Sequence, residues 1–256
     1  MRRAIATATL ALAFAIPGPV PAQEQSLPAL PDMTEAERDA FRAEVRAYLM
    51  EHPEVLMEAI QVLEARRAAD AAKVDSEMIA AHGAQIFHDP NSWVGGNPDG
   101  DVTLVEFSDY RCGYCKQAHP ELQELLRRDP NIRLVVKEFP ILGPESVLAA
   151  RMATAALDLD RSKYGALNDA LMSFDGQLTE AVAYRIASDA GYDIAALKAR
   201  AASSEIEARI GDTYALARAL GLQGTPSFVL GDRIIRGYLP IDQMLAAVTV
   251  ARAAMN

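Results

Sequence analysis

Cys112 and Cys115 are the chain's only thiols, and Gly113-Tyr114 separates them. A bridge closing so short a loop adds little chain-entropy stabilisation, so the pair reads as reactive rather than structural. A lone CxxC is often half of a zinc site, but no second cysteine pair exists to complete one. The motif follows an apolar, strand-like run, Val102 to Phe107, and opens a helix. A cysteine capping a helix meets unpaired N–H groups and the positive end of the dipole, which favour its thiolate. Cys112 is therefore expected as the exposed nucleophile. Cys115, more shielded and within the first turn, is expected to resolve a mixed disulfide.

Glu106 stands inside that apolar run, where a carboxylate is expected to be buried, to hold its proton more tightly and to exchange one with Cys115. Lys137, inside the next apolar run Leu134 to Lys137, is expected to form a buried pair with Glu106. Thr225-Pro226 precedes a third strand-like run, Ser227 to Leu230. A cis peptide there, facing the cysteines, would leave the Thr225 backbone free to pair with an extended substrate chain. Gly113 and Tyr114 complete the expected substrate-facing set. His52, His82, His88 and His119 are scattered; His119 lies four residues after Cys115 and is read as packing rather than ligation. No phosphate loop, Ser–His–Asp pattern or nucleotide fingerprint occurs, and neither a metal site nor a cofactor is expected. Two thiolates could hold a soft ion such as Cu(I), which keeps a copper-binding protein as a second class of function.

The elements that must position these residues follow from periodicity and punctuation. Gln85–His88 reads as a first strand, then a loop over 89–100, a central strand, the CxxC helix with Pro120 inside it, and a strand over Ile132–Phe139. A helical block inserted at about 145–222 has breaks near Ser146, Asp160, Thr179, Asp193 and Ser203. A hairpin about Gly231-Asp232 and a final helix opened by Pro240 close the chain. The order is that of an α/β thioredoxin fold with a helical insertion, over 85–256.

Residues 34–84 read as helix before that domain. Thr34 and Glu37 make a capping box, and Phe41, Val45, Leu49, Leu56, Ile60 and Leu63 form one apolar stripe. The Ala-rich, charged stretch 66–82 reads as a spacer that would hold the stripe off the core, so self-association as a trimer or dimer is expected. Residues 23–33 read as disordered. Residues 1–22 read as a cleaved leader: Arg2 and Arg3, an apolar Ala4–Ile16, and small residues through Ala22. An exported, periplasmic protein without membrane insertion follows as the expectation. The net charge is −10, and because 1–22 carries two arginines and no acid the remainder stands at −12. Such a balance argues against nucleic acid and anionic membrane as partners.

Glu106 to Lys116, the helical insertion and Gly224-Thr225-Pro226-Ser227-Phe228 together resemble the DsbA-like family of bacterial thiol–disulfide oxidoreductases. With His52-Pro53-Glu54-Val55-Leu56 included, the chain is similar to the suppressor of copper sensitivity protein C branch. That resemblance implies oligomerising N-terminal helices, links to disulfide shuffling and copper tolerance, cysteine-containing exported proteins as substrates, and a membrane redox partner that resets the site. Strongly oxidising DsbA proteins carry Pro-His between the cysteines and Val before the cis-proline. Gly113-Tyr114 and Thr225 are instead similar to DsbC-type isomerases. An isomerase-like oxidoreductase is therefore expected, with a dithiol oxidase as the alternative.

Overall fold

The computed structural model describes residues 33–254, so the expected leader and most of the expected disordered segment lie outside the described residues. The chain falls into two compact units, Met1–Gln61 and Val62–Asn256.

In the first unit, α1 (Glu35–Glu51) starts at the expected capping box: the Glu37 amide donates to Thr34 Oγ1, and the Thr34 amide returns a bond of 2.8 Å to the Glu37 carboxylate. None of its residues is buried, and Phe41, Val45 and Tyr48 are exposed. A second helix, α2, starts at Glu54 after Pro53 and carries Leu56 and Ile60, also exposed.

In the second unit, α2 continues to Phe87, and here two expectations fail. The stretch 66–82 is not only a spacer: Asp75 and Ile79 are buried, and Asp75 holds Arg236 through two bonds of 2.8 and 2.9 Å. Gln85–His88 is not a strand either. Ile79 and Ile86 lie seven residues apart on one helical face and pack into the same core cluster, so the helical period outweighs the local β pattern. The first strand is β1 (Trp93–Gly96), within the expected loop. Gly95 is required there, because a Cβ would fall 2.2 Å from the Trp93 ring.

The remaining order is β2 (Val102–Ser108), α3 (Gly113–Arg128), β3 (Ile132–Glu138), α4 (Pro144–Leu159), α5 (Tyr164–Ser173), α6 (Glu180–Asp189), α7 (Ile194–Ala201), α8 (Ser204–Ala219), β4 (Ser227–Leu230), β5 (Arg233–Arg236) and α9 (Ile241–Ala254). The sheet order is β1-β3-β2-β4-β5, with β2 and β3 parallel and the other pairs antiparallel. On one face, Leu104, Leu134, Val136 and Phe228 pack against α3 and α9. On the other, Val105, Phe107, Val135 and Val229 pack against α2 and α8. Covered on both sides, β2 and β3 need apolar residues at nearly every position, which is why they read as continuous runs.

Thr179, Asp193 and Ser203 cap their helices as expected, and Asp160 caps the short 3-10 turn before α5. Ser146 does not cap: α4 starts two residues earlier at Pro144, behind Gly143 at φ 112°. Helix α3 runs through Pro120 without interruption. No described helix is long and apolar enough to cross a membrane. The chain is a mixed-sheet thioredoxin fold with a helical insertion and an N-terminal helical segment.

Candidate active site

Cys112 caps α3 with its own side chain. Its Sγ accepts the Cys115 N–H at 3.3 Å, and its thiol lies 3.2 Å from the Thr225 carbonyl oxygen. The Cys115 thiol, through its contact with the Cys112 sulfur, lowers the Cys112 thiol to about 6 despite partial burial, with smaller contributions from the Thr225 side chain and the backbone amides of Cys115 and Tyr114. The same contact with Cys112, reinforced by burial, pushes the Cys115 thiol far above its usual range. The expected exposure difference between the two sulfurs is small, since Cys112 is itself only 5% exposed and Cys115 fully buried. Electrostatics separates them instead: one thiol favours its anion and the other its proton.

Gly113 and Tyr114 face outward. A Cβ at Gly113 would touch nothing within 4 Å, and Tyr114 is 64% exposed. Thr225-Pro226 is cis and reaches the site from the start of β4, beside a groove of about 510 Å³ that includes Gly224, Ser227 and Gly237. The loop is tied down by Ser227 Oγ, which donates to the Gly224 carbonyl, and by Gly237 N–H, which donates to the Pro226 carbonyl.

Glu106 is buried as expected, and burial raises its carboxyl to about 7, with the His119 ring opposing and the Cys112 charge adding to the shift. The expected pair with Lys137 does not form. The β2–β3 register sets Glu106 against Val136 and Phe107 against Lys137, so Lys137 points to the opposite face. There its ammonium donates 2.7 Å bonds to the Asp89 carboxylate and the Gln85 carbonyl. Burial works against ionisation of Asp89, but the Lys137 partner holds that carboxyl below its usual value.

Two residues absent from the sequence expectations, Glu138 and Asp109, and one read there as packing, His119, complete the surroundings. Glu138 faces the same side as Glu106 and accepts hydrogen bonds from Tyr110 (2.8 Å) and Tyr164 (2.5 Å). Burial raises it to about 8 against those two donors, aided by the charges of Asp109 and Glu106. Asp109, also buried, accepts N–H bonds from Arg111, Ile141 and Leu142, fixing the turn before Cys112 to the loop after β3. His119 is buried on α3 with Nε2 3.0 Å from Asp169 Oδ1. A signal for Glu138 existed: it is an acid at the end of an apolar run, at even spacing from Val136. Asp109 and His119 needed the tertiary arrangement.

This cysteine pair on a helix N-terminus, against a cis-proline loop, has the arrangement of a thioredoxin-fold dithiol. The model of the DSBA-like thioredoxin domain matches residues 103–249, and that of the copper resistance protein ScsC N-terminal domain matches 37–70. The chain belongs to the DsbA-like family of thiol–disulfide oxidoreductases, with an ScsC-type N-terminal segment. A thioredoxin-like oxidoreductase from Silicibacter pomeroyi DSS-3 is 45% identical, with TM-score 0.64, over 66% of this chain and 97% of that one. A linker-deletion variant of Proteus mirabilis ScsC is 25% identical, with TM-score 0.66, over 87% of this chain and 98% of that one. Among curated relatives, the Na(+)/H(+) antiporter NhaA 1 of Salinispora arenicola is 32% identical over 162 residues. The chain spans only 24% of that antiporter's length, against 62% of its own.

Proposed function

We propose that this chain is an exported, periplasmic protein that exchanges disulfides in cysteine-containing proteins through Cys112 and Cys115, with an isomerase-like bias. The observation that carries the reading is the divergence of the two thiols. The contact between the two thiols, with the first-turn amides, lowers Cys112 to about 6, and the same contact with burial drives Cys115 upward. A thiolate at neutral pH attacks a substrate disulfide, and a protonated partner waits.

The exchange balances without an external oxidant. Cys112 S⁻ attacks one substrate sulfur; the substrate S–S bond breaks, and the other sulfur leaves with the electron pair. The product is a mixed disulfide on Cys112. Cys115 then loses its proton, for which Glu106, buried and electrostatically coupled to Cys112, is assigned as acceptor, and attacks Cys112 Sγ. The Cys112–Cys115 bond forms and the second substrate thiolate leaves, so the substrate is reduced and the pair oxidised. In the isomerase cycle a substrate thiolate attacks first, and Cys112 leaves again as thiolate. Thr225 and Pro226, with Gly113 and Tyr114, form the surface against which an extended substrate would lie.

Residues 34–84 serve as the oligomerising segment. Their exposed stripe of Phe41, Val45, Leu56, Ile60 and Leu63 supports this, as does the ScsC N-terminal match. Burying such side chains contributes about 1.5–3 kcal/mol each. Linked active sites raise the local thiol concentration for repeated attack and release. A membrane-bound thiol partner would return the pair to its working state.

The experiment is exchange with scrambled ribonuclease as substrate. Cys112→Ser should abolish reactivation, and Cys115→Ser should accumulate mixed disulfides on Cys112. Mixed disulfides on Cys115 in the Cys112→Ser protein, with none in the other, would reverse the assignment.

A further inference from the structure

We propose that His119 and Asp169 form the route by which the proton taken from Cys115 leaves the buried site. The inference rests on the exchange reading above and extends it to the fate of that proton. Cys115 and Glu106 are both buried, so a proton passed between them has no direct access to water. Retaining it would leave Glu106 protonated and unable to serve the next turnover. An exit is needed, and one is present on the same helix.

His119 lies four residues after Cys115, one turn along α3, and both are on the helix face that packs inward. Glu106 has the parity of Leu104, whose side chain packs against α3 residues Ala118, Leu122 and Leu125. The electrostatic coupling between Glu106 and His119 agrees with that placement. On its other side, His119 Nε2 meets Asp169 Oδ1 at 3.0 Å, and the Asp169 side chain is 52% exposed. Gln123 Nε2 donates to the same oxygen at 3.2 Å and holds the carboxylate toward the ring. His119 and Asp169 line an open groove of about 600 Å³, together with Lys116, Pro120 and Phe174. The path therefore runs from a buried carboxyl, through a buried imidazole, to a carboxylate in contact with water.

The proton balance is closed. Glu106 takes the Cys115 proton as the new disulfide forms. Glu106 then gives that proton to the imidazole, which releases one from Nε2 through Asp169 to solvent. No net charge stays in the core. The charged groups that face the ring are Glu106 from β2, Lys116 from α3, Asp169 from α5 and Asp175 beyond it. The Lys116 ammonium is engaged by the Phe174 carbonyl. An imidazole is suited to the task because one ring nitrogen can accept a proton while the other releases one.

The test separates the two thiol steps. Reduced protein is mixed with excess glutathione disulfide, quenched in acid and analysed by mass spectrometry, which follows formation and decay of the glutathionylated intermediate. His119→Ala should slow the decay by about 10–100-fold at pH 7, within the range that positioned proton transfer contributes. Formation, which is Cys112's step, should change far less. Added imidazole should restore the decay, with rescue rising as the pH increases the neutral imidazole fraction. Asp169→Asn, at an exposed position that leaves the ring in place, should also slow decay; it carries the test if the alanine variant does not fold. Unchanged decay in Asp169→Asn, or slow decay in His119→Ala that imidazole does not rescue, overturns the relay. A wild-type protein that stays fully reduced, forming neither the glutathionylated intermediate nor the Cys112–Cys115 disulfide, overturns the exchange reading itself, a distinguishable failure.

Discussion

Glu106 and Lys137 lie on opposite faces of one sheet, because the β2–β3 register pairs Glu106 with Val136 and leaves Lys137 one step out of phase. Lys137 is consequently a structural cation, held by Asp89 and the Gln85 carbonyl. Lys137→Met should cost about 1–3 kcal/mol of stability, the usual loss on removing a charged hydrogen bond. It should leave the rate of Cys112 alkylation within a factor of about two, since it does not reach the site. Urea unfolding beside iodoacetamide kinetics decides this. A selective loss of thiol reactivity would return Lys137 to the chemistry.

Glu106→Gln should act in the opposite way. An amide cannot take the Cys115 proton, so resolution of the mixed disulfide should slow by about 10²-fold. The wild-type resolution rate should rise with pH through about 7, where Glu106 ionises, and that inflection should vanish in the variant. The readout is single-turnover kinetics from pH 5 to 9. An inflection that persists would assign it to another group.

Cys112 should alkylate with a midpoint near pH 6, slowly below and at a plateau above, while Cys115 stays unreactive up to pH 9. The stability of the reduced form follows with a definite sign. A thiol lowered from 9 to about 6 on folding stabilises the native state fully above pH 9, and that contribution disappears as pH falls through 6. Cys112→Ala should abolish this part of the pH dependence in chemical unfolding of the reduced protein. An unchanged slope between pH 6 and 9 would contradict the network described around the sulfur.

Glu138 carries the reverse sign. Its carboxyl rises from 4.5 to about 8 on folding, so the stability present below pH 4.5 is lost as pH climbs through 8. Glu138→Gln keeps an acceptor for Tyr110 and Tyr164 while removing the ionisation. The variant should be less sensitive to pH than the wild type over that window. Measuring the urea midpoint at pH 5, 7 and 9 tests it, and parallel curves would rule the effect out.

The placement of the cysteine pair was largely legible because it is local. Cys112 and Cys115, the strand before them and the helix after them all fall within one stretch, where periodicity and capping rules act directly. The proline loop needed only its place before an apolar run. Lys137 was misread because apolar runs covered on both faces have no alternation, and without alternation a sequence carries no parity. Gln85–His88 was misread for a related reason: Ile86 and Phe87 suit a strand, and only the burial of Ile79 one face-repeat earlier reveals the helix. His119 was visible as a residue but not as a neighbour, since Asp169 reaches it from a different helix.

That same burial sets where the chain can be cut. A chain starting at Val62 keeps Asp75, Ile79 and their partners, and should be smaller in solution than the full chain, with an unaltered melting temperature for the catalytic unit. A chain starting at Ala84 loses the Asp75–Arg236 pair and Ile79, and should melt lower by several degrees. Light scattering and calorimetry on both truncations check the two statements separately. Equal masses for the full chain and the Val62 chain would remove the assembly role from residues before 62.

Gly113 and Tyr114 sit between the two sulfurs yet make almost no demand on the interior. A Cβ at position 113, the first helical residue, meets nothing within 4 Å, and proline suits that place in a helix. Position 114 opens to solvent and accepts any size or charge. These two sites act as an adjustable dial: each exchange there alters the field at the Cys112 sulfur, while the folding determinants lie elsewhere. A chain altered only there should fold as this one does while differing in how readily its thiols give up electrons.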